Sequence, residues 1–591
     1  MPPQFERQWR LNVQDAAAAR RLSHALGITP LTARILINRG IREPERADLF
    51  LNPRFAHLHD PNLMHDMDKA IHRTLEAIRD SDPILVYGDS DVDGITAAVC
   101  VYQFLSRLGL DTSCHIPGRT DEGYGLTNSA VERAAADGIR LIITTDCGIS
   151  NHESIALAKT HGIDTIVIDH HTLPAQLPVA SAILNPLQPE CAFPFKRLAA
   201  VGVSFNFIMA LNRTLSDLGA FPNGSPSMRD YLDLVALGTV ADAVPLIDEN
   251  RIFVRLGLEV LRRRRRPGTQ ALMDRAQVEG RPVTARTIGY RLAPLINAAG
   301  RMGDANRCVE LLSTGSYRRA LALAQELEKD NARRQQAERD ILKEATRMAE
   351  EQFDQGRHLL MLSGEGWHEG VLGIVASRIK ELFHRPSALV AINPTSKRAR
   401  VSLRAIAGVD LIAAMTPLED RLNSFGGHTA AAGMSLHADN LEEVYTALND
   451  AIGLQLANPP VPQLNLDTFA SLDELGDNFL DDLGALAPFG VGHGEPALLV
   501  EQVRCVRRRI VGERHLRLQV RGGQTISEAI GFALASQYSI LSQDVDMALT
   551  PRRTTHRGQP KMELHIKDLR TAGTGSLVRL PLQNPTPAGG H

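Results

Sequence analysis

The stretch Val86-Tyr87-Gly88-Asp89-Ser90-Asp91-Val92-Asp93-Gly94 limits the folds open to this chain more than any other. The apolar run from Pro83 to Tyr87 has the length and composition of a buried parallel strand. Three carboxylates at alternate positions follow it, then a glycine and a helical pattern from Ile95 to Leu108. Carboxylates this close repel one another unless their pKa values rise or a cation lies among them, and hard divalent cations take oxygen ligands of this kind. A solvated acidic turn, or an aspartate capping the helix, accounts for the same letters without a metal.

The surrounding sequence favours the metal. From residue 83 to about 245, apolar β-branched runs (Ile84 to Tyr87, Thr112 to Ile116, Arg140 to Thr145, Thr165 to Ile168, Ser181 to Leu184) alternate with Ala-rich amphipathic segments such as Ser129 to Ala136. That alternation predicts a parallel sheet with helices on both faces, in which ligands bind beyond the carboxyl ends of the strands. The run through Thr145 ends in Asp146, and the run through Ile168 ends in Asp169-His170-His171. Three strand ends therefore deliver acids and imidazoles to one edge. The apolar segment Ala236 to Ala241 adds Asp242, which alone reads as readily as a cap or an ion-pair partner.

At 591 residues the chain exceeds a single core and predicts several domains. The six cysteines are scattered, with no close pair suggesting zinc or a redox dithiol, and no run approaches a membrane span. These features predict a cytoplasmic protein with no membrane contact. The net charge of -3 hides local segregation: from Pro496 to Thr571 there are 13 Arg and Lys against 7 Asp and Glu.

The Asp-x-Asp-x-Asp-Gly at 89 to 94, Thr144-Thr145-Asp146-Cys147-Gly148 and Asp169-His170-His171 resemble the DHH phosphoesterase superfamily. Leu184-Asn185-Pro186, Ala200-Val201-Gly202-Val203, Asn297-Ala298-Ala299-Gly300-Arg301, Gly366-Trp367-His368-Glu369-Gly370 and Phe425-Gly426-Gly427-His428 narrow the resemblance to its RecJ family of single-strand-specific exonucleases. The resemblance implies a two-metal phosphodiesterase, run with manganese or magnesium, that removes mononucleotides from the 5′ ends of single-stranded DNA in repair and recombination. By matching position, Asp91 holds one cation, Asp93 the second, and Asp146 bridges them. His170 and Asp242 complete the second site, and Asp89 lies beside the first. His171 and Arg301 contact the scissile phosphate, with Asp169 as an orienter. Mixed imidazole and carboxylate ligation favours manganese.

Tyr317 to about Gln355 reads as one long connecting helix, and residues 358 to 456 read as a second α/β domain resembling the DHH-associated domain, with a Gly-rich turn ahead of Thr429 to Met434. There, Gly426, Gly427 and His428 can approach a phosphate. Ser402 and Arg404 match the family's Gly-Ser-x-Arg-Ser pattern for a terminal 5′ phosphate, although Val401 and Ala405, flanking them with Leu403 between, replace its glycine and second hydroxyl, which puts the backbone part of that pocket in question. Arg119 matches another residue near that pocket. After Pro459-Pro460-x-Pro462 come short alternating strands, read as an OB-type β-barrel whose basic groove binds the strand backbone. Arg507 to Arg509 fit either that groove or a solvated edge strand, whereas Arg262 to Arg266 read better as an exposed helix end than as a DNA contact.

The expected domains are a helical appendage (1–75), a DHH domain (76–316), the connecting helix (317–356), the DHH-associated domain (357–458), the barrel (459–571) and a disordered tail (572–591). The family also implies a monomer that meets a single-strand-binding protein and a helicase. Two other readings use the same residues. One is a phosphodiesterase for short RNA or cyclic dinucleotides, which would need no extended basic groove; the other is a replication scaffold, which would have lost its metal ligands.

Overall fold

The computed structural model describes residues 5–12, 15–118, 125–456, 461–556, 559–575 and 577–580. The chain divides into two compact units: one is built from residues 9–300, 304–326 and 465–591, the other from 1–8, 301–303 and 327–464.

In the larger unit five parallel strands form one sheet: β1 (Ile84–Gly88), β2 (Thr112–His115), β3 (Leu141–Thr145), β4 (Asp164–Ile168) and β5 (Ala182–Leu184), in the order β2-β1-β3-β4-β5. The strands lie within two residues of their expected limits. β3 is buried along its whole length, as a strand covered on both faces must be, which explains its unbroken Leu-Ile-Ile run. The order reverses between β1 and β3, where the crossover connections leave in opposite directions. This is the switch point at which open sheets bind ligands. Helices α1 (Val92–Arg107), α2 (Ala200–Asp217) and α3 (Leu232–Ala241) follow.

The same unit carries the barrel: β11 (Leu498–Val511), β12 (His515–Gly522), β13 (Thr525–Gly531), β14 (Val545–His556) and β15 (Gln559–Thr571), ordered β11-β12-β13-β15-β14 and closed by β14 pairing back on β11. The N-terminal helices share its core. Leu22, Leu31, Ile35 and Leu36 are buried in one cluster with Phe479, Leu498, Leu516 and Leu564. The expected disordered tail differs in part: Leu577–Leu580 form a strand paired in parallel with Gln8–Asn12, Trp9 opposite Leu577, while residues 581–591 lie outside the described residues.

The smaller unit holds a five-stranded sheet ordered β9-β10-β8-β7-β6, with β6 (Leu360–Glu365), β7 (Ser387–Ile392), β8 (Arg398–Arg404), β9 (Ser424–His428) and β10 (Ala431–His437). A single helix, Tyr317–Asp354, passes from one unit to the other, as its lack of Gly and Pro predicts.

Candidate active site

The loop after β1 has three acids with separate tasks. Asp91 caps α1, its Oδ1 accepting from the amides of Asp93 (2.9 Å) and Gly94 (3.1 Å) and leaving its second oxygen for a ligand. The cap and metal readings of this residue are therefore compatible. Asp93 is buried, its two oxygens taking the first amides of α2, from Ala200 (2.7 Å) and Val201 (2.9 Å). Gly94 is required because a Cβ there would stand 2.5 Å from the Asp89 carbonyl oxygen.

The next two strand ends face this loop. Asp146 holds a left-handed backbone, φ +62°, a costly conformation for a residue with a side chain. Asp169 is buried, and its carboxylate is saturated: Oδ1 accepts from the His170 amide (2.7 Å), the His171 amide (3.1 Å) and His171 Nδ1 (2.7 Å), and Oδ2 accepts from the Ile149 amide (3.1 Å). Burial alone would raise its pKa, but the bonds from His171 outweigh burial and hold it below the usual range. The reciprocal effect raises His171, whose burial would lower it. The Asn185 amide donates to the His171 carbonyl (2.9 Å), and the Leu198 backbone hydrogen-bonds the His170 ring. Both imidazoles are therefore oriented from behind.

Three overlapping groups result: Asp89, Asp91 and Asp146; Asp93, His170 and Asp242; and Asp146, His170 and His171, each offering ligand atoms within 4.8 Å of one another. His170 Nε2 lies 3.2 Å from Asp146 Oδ1, 3.8 Å from Asp242 Oδ2 and 3.9 Å from Asp93 Oδ2. Asp242 is reached differently from the other acids. Its apolar segment is the helix α3, so the acid comes from a helix end.

Burial, then the neighbouring carboxylates, pushes Asp146 and Asp93 well above the usual acid range and Asp242 up to about 7. Burial, then His171, holds His170 down at about 4, the neutral form that ligates metal. Asp146 Oδ1, His170 Nε2 and Asp242 Oδ2 are buried with no hydrogen-bond partner among the described residues. Buried polar atoms are rarely left so. A converging set of oxygens and one imidazole nitrogen fits divalent cations.

In the smaller unit, Arg301 Nη1 donates to the Gly370 carbonyl (2.6 Å). Arg404 bonds Ser402 Oγ (3.2 Å) and the Leu403 carbonyl (2.7 Å). Burial lowers its pKa with no acid offsetting it, which leaves the guanidinium suited to an anion. Gly373, which the sequence reading did not single out, makes room for it: a Cβ there would meet Arg404 Nη2 at 2.5 Å. Gly426, Gly427 and His428 lie on a strand, β9, and not in the expected turn, because they pair antiparallel with Gly433, Ala432 and Ala431. Arg119 lies outside the described residues.

On the barrel, Arg504 and Arg521 stand directly across from each other, as do Arg509 and Arg517, and all four are exposed. Like charges so paired repel and favour a bound polyanion. Arg508 instead turns inward, donating to the Tyr538 carbonyl (3.2 Å) with its guanidinium 4.7 Å from that ring. Arg266 is likewise internal, bound to buried Asp233 at 2.8 Å.

The sequence reading also missed the Ala200 and Val201 amides and Asn185. Their motifs were visible, but what they touch is distant in the chain.

A sheet with its switch point at β1 and β3, lined by these acids and histidines, has the architecture of a DHH phosphoesterase domain. The sequence agrees. Residues 83–239 match the DHH family N-terminal domain, 356–454 the DHHA1 domain and 466–568 the RecJ OB domain. The chain belongs to the RecJ family of single-stranded-DNA-specific exonucleases. It is 35% identical to the RecJ protein of Salmonella typhimurium over 92% of this chain and 96% of that one. It is 35% identical to that of Bacillus subtilis over 89% of this chain, spanning 66% of the relative's length. The crystal structure of RecJ from Thermus thermophilus in complex with Mn2+ superposes with a TM-score of 0.81 at 28% identity, covering 97% of this chain and 80% of that one. A second structure of that protein is a complex with Mg2+.

Proposed function

We propose that the chain hydrolyses single-stranded DNA from its 5′ end, releasing 5′-mononucleotides with two divalent cations, manganese preferred and magnesium accepted, in DNA repair and recombination. The observation that carries this reading is the convergence of Asp89, Asp91, Asp93, Asp146, His170 and Asp242 on one edge of the sheet. Asp89, Asp91 and Asp146 would hold one cation, and Asp93, Asp146, His170 and Asp242 the other. Bound there, the cations supply Lewis acidity, which activates water and offsets charge on the phosphodiester.

The side chains supply the rest. His171, fixed at Nδ1 by Asp169, keeps its Nε2 to donate to a phosphate oxygen as negative charge grows on it. Arg301, whose Nη1 donates to the Gly370 carbonyl, would contribute its positive charge to the scissile phosphate. Arg404 and Ser402 receive the terminal 5′ phosphate, and Gly426, Gly427 and His428 approach the strand backbone. The exposed arginine pairs of the barrel hold the strand beyond the site.

The same reading takes in a cytoplasmic monomer working with a single-strand-binding protein and a helicase. No helix among the described residues is long and apolar enough to cross a membrane. To test the function, the purified protein with manganese is offered 5′-phosphorylated single-stranded DNA, the matching duplex and short RNA. Acid-soluble mononucleotides released from the first alone are expected; a preference for short RNA would overturn the reading.

A further inference from the structure

One continuous helix holds a feature that the chemistry above does not use. It runs from Ala285–Thr287 through a π-helical turn, Ile288–Leu292, into α4 (Ala293–Met302). Ala285, Thr287, Ile288, Leu292, Ala293, Leu295 and Ile296 point inward. The π turn holds one residue more than an α turn, and Ile288 and Leu292 both stay buried while Tyr290 stands out between them. At 74% exposure, Tyr290 is the most exposed Phe, Tyr or Trp among the described residues. Arg286, one turn earlier, places its guanidinium 4.9 Å from the ring centroid.

Where the helix sits gives this ring its interest. At one end Gly300 lies so close to the metal loop that a Cβ would meet the Ser90 carbonyl oxygen, between Asp89 and Asp91, at 2.4 Å. Beside the ring, Gly289 faces Val240, whose chain leads two residues on to Asp242. From Gly300 back to Tyr290 the helix rises on the order of 15 Å. The ring therefore stands in the open, a few nucleotides' length from the acids. Along the chain before it, Arg286, Thr284, Pro282 and Arg281 are exposed as well, and Arg286 lies against the ring, so positive charge stands beside its face. A lone π face with adjacent positive charge suits one base and its phosphate.

We infer that Tyr290, with Arg286 against its ring, is a stacking subsite for a nucleobase of the single strand a few nucleotides from the metal centre. Every base offers a π face, so the subsite would hold the strand without regard to sequence. This inference rests on the exonuclease reading and adds a positioning contact to it.

The test uses the full-length protein with manganese and compares wild type, Tyr290→Ala and Tyr290→Trp on single-stranded DNA. Tyr290→Ala is expected to raise KM roughly 5- to 100-fold, the range for loss of one base–aromatic stack, with kcat little changed, and Tyr290→Trp to restore it. A strand with one abasic site, moved position by position, should show weakened binding at one place for wild type and none there for Tyr290→Ala. An unchanged KM in Tyr290→Ala, or the same abasic profile in both proteins, overturns the subsite. If wild type releases nothing from single-stranded DNA, it is the exonuclease reading that fails.

Discussion

At the scale of single residues, the site is expensive for the protein to assemble by itself. Asp242 has a folded pKa of about 7, above its ordinary value, because burial and then Asp91 disfavour its charge. The folded state thus binds that proton more tightly than the unfolded chain, so the associated stability is present at low pH and lost as pH rises towards 7. In chelator, wild type is expected to lose stability between pH 4 and 7 by up to about 1.4 kcal/mol per unit from this group. Asp242→Asn should flatten the slope in urea titrations. Asp146→Ala should abolish nearly all nucleotide release while the far-UV circular dichroism stays native, which a scaffold reading does not require. Much of this centre was legible beforehand, since Asp89, Asp91, Asp93, Asp146, Asp169, His170 and His171 all follow strands whose apolar runs are unmistakable. Asn185 and the Ala200 and Val201 amides were not, because a backbone amide leaves no letter in a sequence and a buried asparagine looks like a turn.

At the scale of elements, strands fix where the acids stand and helices fix how near they come. α4 presses on the loop after β1 through Gly300, so Gly300→Ala has nowhere to put its methyl group. It is expected to cost about 1 to 3 kcal/mol, as overpacking does, and to weaken manganese binding measured by calorimetry. Arg404 sits on β8 beside α5 (Leu372–Phe383), where Gly373 gives it room. Arg404→Ala is expected to reduce the preference for 5′-phosphorylated over 5′-hydroxyl ends roughly 10- to 100-fold in competition assays, the worth of a charged hydrogen bond. At 401–405 the family pattern's glycine is gone, yet Arg404 has room; that room comes from Gly373 on a helix elsewhere, which no local motif could announce. Likewise the strand bearing Gly426-Gly427-His428 read as a turn, because two adjacent glycines look alike in either setting until a partner strand is known.

At the scale of the whole molecule, the N-terminal helices were read as an appendage without chemistry, yet they complete the barrel's core. Amphipathic periodicity shows that a helix has an apolar face and says nothing of which distant segment will cover it. The joint is polar as well as apolar. Arg39 donates to both Asp467 oxygens (2.8 and 3.0 Å) and lies 2.8 Å from His493 Nδ1, while His493 Nε2 is 2.8 Å from the Leu486 carbonyl. Burial, then Arg39 and Arg251, holds His493 down at about 2. Its neutral form contributes stability that is complete above about pH 6.5 and lost as pH falls, because only the unfolded chain takes the proton. His493→Gln should therefore be less stable than wild type at pH 7, with a shallower decline to pH 5 in urea unfolding. The pairing of Trp9 with Leu577 bears on the order of events during synthesis. The ribosome delivers one of these strands long before the other, so the earlier one must stay uncommitted, with its edge open to wrong neighbours, until everything between them has been made.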